Sequence, residues 1–179
     1  MERITVFVAS KEEEALYRST LPTGANIVVG VPGLAAQREF ISRRYPLGAN
    51  LLFMDDDITQ IKALDGSKLI QVEDVDAVIE LGFKEMSDRG AYIWGIYPAA
   101  SALYMIRQPA ITTDLRYIIG AFYGIKNEHP PVLMYGDNQE DKERTLWYWE
   151  RYKQVVRLNH VTILTRYYAP GGMESPTRK

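Results

Sequence analysis

Short apolar runs separated by polar, charge-rich stretches mark out the first third of the chain. Ile4-Thr5-Val6-Phe7-Val8 lies inside a predicted strand over 3–9, and Ser10-Lys11-Glu12-Glu13-Glu14 follows with the serine cap and early acids that open a helix, running to about residue 19. Pro22 and Gly24 turn the chain into a second predicted strand over 26–29. Beyond the Gly30-Val31-Pro32-Gly33 loop a helix is predicted over 34–45, closed by Pro46 and Gly48. Leu51-Leu52-Phe53-Met54 then runs directly into Asp55-Asp56-Asp57. A continuous apolar run fits a strand covered on both faces, as in the parallel sheets of α/β domains. The β-α-β-α-β succession is that of a doubly wound half, with its functional loops gathered beyond the carboxyl ends of the strands.

The middle of the chain is less regular. A short strand is predicted over 68–71, followed by a helix over 72–89 whose Val75, Val78, Ile79 and Phe83 recur at helical spacing and read as core. Further strands are predicted over 91–96, 103–106, 117–125, 132–135 and 155–165, with a loop over 97–101 and a helix over 139–152. No repeat, low-complexity run or linker interrupts the pattern, so residues 1–173 read as one α/β domain and 174–179 as a disordered tail.

Composition narrows the chemistry. The 179 residues contain no cysteine, which excludes disulfides, thiolate metal sites and cysteine nucleophiles, so any metal must rest on oxygen or histidine ligands. No apolar run approaches the roughly 20 residues that span a bilayer, and the N-terminus lacks signal-peptide architecture; the expectation is a cytoplasmic protein with no membrane partner. The net charge of -2 is unevenly spread. To Asp88 there are 15 acidic against 9 basic residues, and beyond it 8 against 12, so the second half is the one suited to a polyanion.

Asp55-Asp56-Asp57 is the leading chemical feature. Along an extended backbone side chains alternate, so Asp55 and Asp57 are expected on one side and Asp56 on the other, a D-x-D pair. Two carboxylates a few ångströms apart repel by roughly 1 kcal/mol in water and by several times that in a partly dehydrated cleft. A hard divalent cation such as Mg2+ or Mn2+ compensates, because it prefers oxygen ligands and is commonly held by one or two carboxylates plus substrate phosphates. The plainer alternative is that Asp57 caps a helix starting at Ile58.

A second acidic cluster, Asp137-Asn138-Gln139-Glu140-Asp141, sits at a helix start with Asp137 or Asn138 as cap. There the helix dipole favours ionised Glu140 and Asp141, and an ionised carboxylate at a cleft edge is a ready general base; complementing the dipole alone is the competing role. Gln37, Arg38, Arg43 and Arg44 follow the Gly30–Gly33 loop, and arginine is a fitting partner for a diphosphate, though a solvated helix face serves Arg43 and Arg44 equally. His160, expected within a strand, is either structural or a neutral imidazole completing a metal shell. Trp94, Tyr97, Tyr104, Tyr167 and Tyr168 offer platforms for a base or a sugar, or core.

Taken together these residues resemble the TET-associated glycosyltransferases of phages. The resemblance rests on the apolar strand ending in Asp55-Asp56-Asp57, the Ala35-Ala36-Gln37-Arg38-Glu39-Phe40-Ile41 helix, the Glu140-Asp141-x-x-x-Thr145-Leu146 helix, and the closing Thr165-x-Tyr167-Tyr168-x-x-Gly171-Gly172, in the same order over most of the chain. It implies a glycosyltransferase-A-like three-layer sandwich around a mixed, mostly parallel central sheet. It further implies a D-x-D-held Mn2+ or Mg2+, a nucleotide-sugar donor (UDP-sugar favoured), and a 5-hydroxymethylpyrimidine in phage DNA as acceptor, reached by base extrusion. On this chain Asp57 and Asp55 would hold the cation, with His160 as a further ligand. Asp55 and Asp56 would face the donor, with Asp55 near the ribose or a metal-bound water. Ser10, Gln37 and Arg38 would line the nucleotide pocket, and the Glu140-Asp141 pair would supply the base through Asp141.

Two rivals come from other classes. Phe53-Met54-Asp55-Asp56-Asp57-Ile58-Thr59 also fits the hydrophobic-D-x-D-x-T of haloacid dehalogenase-type phosphatases, with Asp55 as nucleophile and Asp57 as acid, and 136–141 fits their later G-D-x-x-x-D. In that family, however, the nucleophile normally ends the first strand, whereas two predicted strands precede Asp55. The other rival is a non-catalytic module that binds a nucleotide sugar or nucleic acid.

Overall fold

The computed structural model describes residues 4–130 and 139–166. The elements run β1 (Thr5–Val8), α1 (Lys11–Thr20), β2 (Asn26–Val29), α2 (Leu34–Arg44), β3 (Asn50–Met54), β4 (Ile58–Asp65), β5 (Lys68–Gln71), α3 (Val75–Asp88), β6 (Ile93–Ile96), α4 (Ala102–Met105), β7 (Ile111–Thr112), β8 (Phe122–Lys126), α5 (Glu140–Tyr152), β9 (Val156–Leu158) and β10 (Val161–Thr165). Two compact units result, Met1–Leu51 with Lys126–Arg144, and Leu52–Ile125 with Thr145–Lys179.

In the first unit β1 and β2 pair in parallel, Thr5 opposite Asn26 through Val8 opposite Val29. Ser10 caps α1, its Oγ accepting from the Glu13 N–H at 3.2 Å, while the Glu13 carboxylate accepts from the Ala9 N–H at 2.7 Å. These are the reciprocal contacts of a helix-opening serine and the glutamate three residues on. The carboxyl end of α2 is tied down by Asn127, which is fully buried. Its Nδ2 donates to the carbonyls of Ser42, Tyr45 and Pro46 at 2.8, 3.0 and 3.1 Å, and its Oδ1 accepts from Ser42 Oγ at 2.6 Å. One amide thereby adds a donor to each of three carbonyls where the helix ends and its ladder stops.

The second unit is built on a five-stranded sheet ordered β3-β8-β6-β9-β7 and a three-stranded sheet ordered β10-β4-β5. Residues from both enter one cluster: Trp94, Ile96, Phe122, Val156 and Leu158 from the larger sheet, Ile61, Val161 and Ile163 from the smaller, with Met86 and the partly buried Val75, Val78, Ile79 and Phe83 of α3. The helical-spacing stripe read from the sequence is thus the core-facing side of α3. Trp94, 0% exposed, occupies a slot whose walls are glycines. A Cβ on Gly82 would meet its ring at 2.4 Å, and one on Gly124 would meet its Nε1 at 2.0 Å. A glycine inside a helix is unfavourable by itself, and here the indole explains it.

The chain is mixed α/β, but the central sheet is not mostly parallel. β6 and β9 are parallel, whereas β6 with β8 and β7 with β9 are antiparallel. An antiparallel pair needs no crossover helix, and the 97–121 segment that joins β6 to β8 carries only the single-turn α4 and the two-residue β7. β3 is an edge strand rather than one covered on both faces, with Phe53 buried and Met54 exposed. It pairs away from β1 and β2, so the doubly wound half stops at two strands. A strand, β4, begins at Ile58, so Asp57 caps no helix there.

The predicted strand over 103–106 is the short helix α4; an apolar run of four is compatible with either, and burial of Met105 alone suits one helical turn. The predicted strand over 117–125 begins only at Phe122, because Ile118 packs on Gly95 instead of joining a ladder. The predicted strand over 155–165 is two strands in different sheets, broken by a turn at Asn159-His160. The expected strand over 132–135, the caps Asp137 and Asn138, the Tyr167–Gly172 ending and the tail lie outside the described residues.

Gly82→Ala is expected to destabilise the protein by about 1–3 kcal/mol, the usual consequence of overpacking, even though alanine is the better helix former. Denaturant unfolding followed by tryptophan fluorescence reads this; unchanged or increased stability would show that Trp94 yields.

Candidate functional site

Between β3 and β4 the chain turns at Asp56-Asp57, leaving one sheet for the other. The Asp55 N–H donates to the Ala121 carbonyl at 2.9 Å, which holds the start of the turn, and the Asp57 carbonyl accepts from the Arg166 N–H at 2.9 Å, which holds its end. The β4–β10 register shifts between Leu164 and Thr165, beside Ile58. Such bulges re-aim side chains and recur near functional sites.

Asp55 and Asp57 are half-buried and Asp56 is exposed. Asp57 Oδ1 is buried, with no hydrogen-bond partner among the described residues. Its carboxyl holds its proton above the usual aspartate range, first because burial disfavours the charge and then because Asp55 and Asp56 repel it. The turn replaces the expected strand alternation: both neighbouring charges act on Asp57.

In the other unit the predicted nucleotide residues act on the loop that leaves β2. Gln37 Oε1 accepts from the Val31 N–H at 2.8 Å, and its Nε2 donates to the Val8 carbonyl at 3.2 Å. The amide therefore ties the loop to the end of β1, assisted by the Gly30 N–H donating to the same Val8 carbonyl at 2.8 Å. A Cβ on Gly30 would meet Gln37 Oε1 at 2.1 Å, so a side chain there would displace this amide. Ser10 serves as the α1 cap.

Glu140 and Asp141, adjacent in sequence, are in different situations. Glu140 is buried, bonded to Arg144 Nη1 and 3.7 Å from Arg38 Nε. A carboxylate between two guanidiniums is engaged by both, and it anchors the first turn of α5. Arg38 is correspondingly committed to Glu140. Asp141 is half-buried, its Oδ1 accepting from the Lys142 N–H at 2.8 Å.

His160 does not join the aspartates. Its carbonyl accepts from the Leu64 N–H at 2.8 Å and its Nδ1 lies 3.1 Å from the Ala110 carbonyl. The β4–β10 ladder runs from Ile58 to Ala63, with Leu64 just beyond it, and the strand from Asp57 to Leu64 spans roughly 20 Å. The expected place inside a strand is a turn instead. Among the described residues no three of His, Asp and Glu are arranged as a complete metal-ligand set.

Trp94 is core, not a stacking platform, whereas Tyr104 is exposed and Tyr97 half-buried. Arg43 pairs with Glu39 at 2.7 Å across one helical turn. Asn127 and Arg157 escaped the sequence reading. Asn127 follows an apolar strand without any motif, and Arg157 was hidden inside what read as a single strand.

No family model matches the chain, and no curated protein or solved structure is significantly similar to it.

The raised proton affinity of Asp57 has a definite sign. The folded state binds the proton more tightly than the unfolded state, so metal-free stability falls as pH rises from the ordinary aspartate range through the raised value. Asp57→Asn is expected to remove that decline and to stabilise the metal-free protein at neutral pH. Urea unfolding in chelator over about pH 4 to 7 checks it, and parallel profiles for the two proteins would refute it.

Proposed function

We propose that the protein is a metal-dependent glycosyltransferase that moves a sugar from a nucleotide-sugar donor, preferably a UDP-sugar, to a hydroxyl acceptor, with a 5-hydroxymethylpyrimidine in DNA as that acceptor. The observation that carries the reading is the Asp55–Asp57 turn, with one Asp57 oxygen buried and unbonded among the described residues and the charge of Asp57 disfavoured by burial and like neighbours. Mn2+ or Mg2+ fits this donor set: hard oxygens, two usable carboxylates, and a diphosphate to complete the shell. The cation, once bound, would supply Lewis acidity to the diphosphate.

The chain's own residues then divide the work. Asp55 and Asp57 hold the cation end of the donor, and Asp56, exposed, faces the solvent side of the donor site. Asp141 takes the proton from the acceptor hydroxyl, supported by its half-buried place in the first turn of α5. Glu140 fixes that turn through Arg144 and Arg38. Gln37 and Ser10, which fix the loop ends after β2 and β1, are the residues this reading assigns to the nucleotide. The same reading takes the fold as glycosyltransferase-A-like, supported by the β1-α1-β2-α2-β3 order, the parallel β1–β2 pair and the aspartates that end β3.

Mass spectrometry of 5-hydroxymethylcytosine DNA, incubated with the protein, Mn2+ and Mg2+, and a pool of UDP- and GDP-sugars, tests the reaction. A hexose or pentose added to the nucleoside is expected. Intact donors and no adduct would favour the phosphatase or the non-catalytic module, which a phosphatase substrate screen then separates. Within the same assay Asp57→Ala should abolish metal-dependent donor binding, whereas Asp141→Ala should keep binding and lower transfer by about 10²–10⁴-fold.

Glu140→Ala should behave differently from both. Leaving Arg144 and Arg38 without their carboxylate is expected to cost about 3–5 kcal/mol of stability, read in thermal unfolding. A folded, inactive Glu140→Ala would return Glu140 to the chemistry.

A further inference from the structure

A buried arginine is ordinarily matched by a carboxylate, and Arg157 departs from that rule. It lies on β9, between Gly95 of β6 and Thr112 of β7 in the sheet register, and is 6% exposed. Among the described residues no carboxylate comes within ion-pair distance of it. Asp114, the acid whose charge reaches it, is engaged by Arg116, whose Nε donates to both carboxylate oxygens at 3.0 and 2.9 Å.

The guanidinium carries five N–H donors. Nε donates to Asn159 Oδ1 at 2.6 Å, and Nη1 reaches the Tyr117 carbonyl at 3.4 Å, beyond the usual hydrogen-bond range. Most of the Nη edge is therefore not met by the described residues. Its direction is fixed, because Asn159 is itself locked: its Nδ2 donates to the Pro109 carbonyl at 2.8 Å and to Thr112 Oγ1 at 3.1 Å, which leaves Oδ1 facing Arg157. The Tyr97 ring centroid lies 5.1 Å from the guanidinium carbon. Arg116, with its side chain 36% exposed, and Tyr117, 37% exposed, stand at the rim.

We propose that Arg157 and Arg116, with the Tyr97 ring beside them, form a binding site for a phosphoryl oxyanion, the paired Nη donors of Arg157 engaging two of its oxygens. Two guanidiniums against one carboxylate leave the cluster one positive charge in excess, and a guanidinium fork matches phosphoryl oxygens in its plane. Burial, then repulsion from Arg116, pushes Arg157 below the usual arginine range, a tension that a bound anion relieves. The half-buried and exposed tyrosines suit a phosphoryl group carried by a nucleotide. The site lies within the unit of Leu52–Ile125 and Thr145–Lys179 and does not depend on the glycosyltransferase reading.

Calorimetric titration in chelator and low-salt chloride buffer tests the site, with inorganic phosphate as one probe and a short oligothymidylate as the other. The folded wild-type protein should bind at least one of them. Arg157→Lys, which keeps the charge and loses the fork, should weaken binding by about tenfold or more. Arg116→Gln, at the exposed rim, should weaken it without disturbing the fold, and it decides the matter if Arg157→Lys does not fold. Tighter binding of phosphate would identify a free phosphate or nucleotide as the ligand, and tighter binding of the oligonucleotide a nucleic-acid backbone. No binding of either probe, or binding undiminished by the folded variants, would overturn the proposal.

Discussion

Ile61, Val161 and Ile163 of the three-stranded sheet share one core with Trp94, Ile96, Phe122, Val156 and Leu158 of the five-stranded sheet. A chain that supplies both sheets must leave one and enter the other, and among the described residues it turns directly between them at Asp55–Asp57 and at Asn159-His160. Because β4 and β10 pair antiparallel, these corners fall at opposite ends of one ladder. At a corner the strand hydrogen bonds stop, and the freed backbone groups need polar partners. The Arg166 N–H and the Leu64 N–H supply two of those bonds, to Asp57 and His160. The aspartates stand at one corner and Asn159 at the other, where it holds Arg157 of the adjoining strand β9.

Charge taken out of water is handled in two ways. Glu140 is enclosed by Arg144 and Arg38, so its buried carboxylate has a cation on either side. Asp57 and Arg157 lack that pairing: among the described residues one Asp57 carboxylate oxygen has no hydrogen bond, and Arg157 has no carboxylate within ion-pair distance. Both have their charged forms disfavoured, by burial first and by like charges second. Closed clusters serve architecture, because removing a partner exposes an uncompensated ion. Open ones are where an outside ion of opposite sign gains most, a cation at Asp57 and an anion at Arg157.

The local elements of the first half were legible because their signals are local. Ser10 with its following acids marked α1, Asn26–Val29 was a bounded β-branched run, and Val75, Val78, Ile79 and Phe83 gave α3 its period. Strand partners were not legible, since the same apolar run at 51–54 serves a central strand or an edge strand, and only β8 decides which. The strand at Ile58 was missed for a related reason: Thr59, Gln60 and Lys62 are surface positions of a half-exposed ladder, and their polarity concealed it. For the candidate site, the aspartates, Gln37, Arg38 and Asp141 were singled out by residue type, but their partners were not. Glu140 and Asp141 look equivalent in sequence, and it is Arg38, about a hundred positions away, that separates a held carboxylate from a half-exposed one.

The aspartate corner also shows why periodicity misjudges such a place. Had β3 continued through residue 57, Asp56 would have faced away from its neighbours and its charge would have counted for little at Asp57. The turn keeps both Asp55 and Asp56 within electrostatic reach, so the proton affinity of Asp57 rises from both sides. Such a turn is tolerable without a ligand because Asp56 remains in water and Asp55 and Asp57 remain half-exposed. It becomes favourable when a cation arrives, since the same repulsion that disfavours three adjacent charges is what a divalent ion removes. A strand presents carboxylates; a turn between two sheets concentrates them, and concentration is the property that a metal-held diphosphate requires.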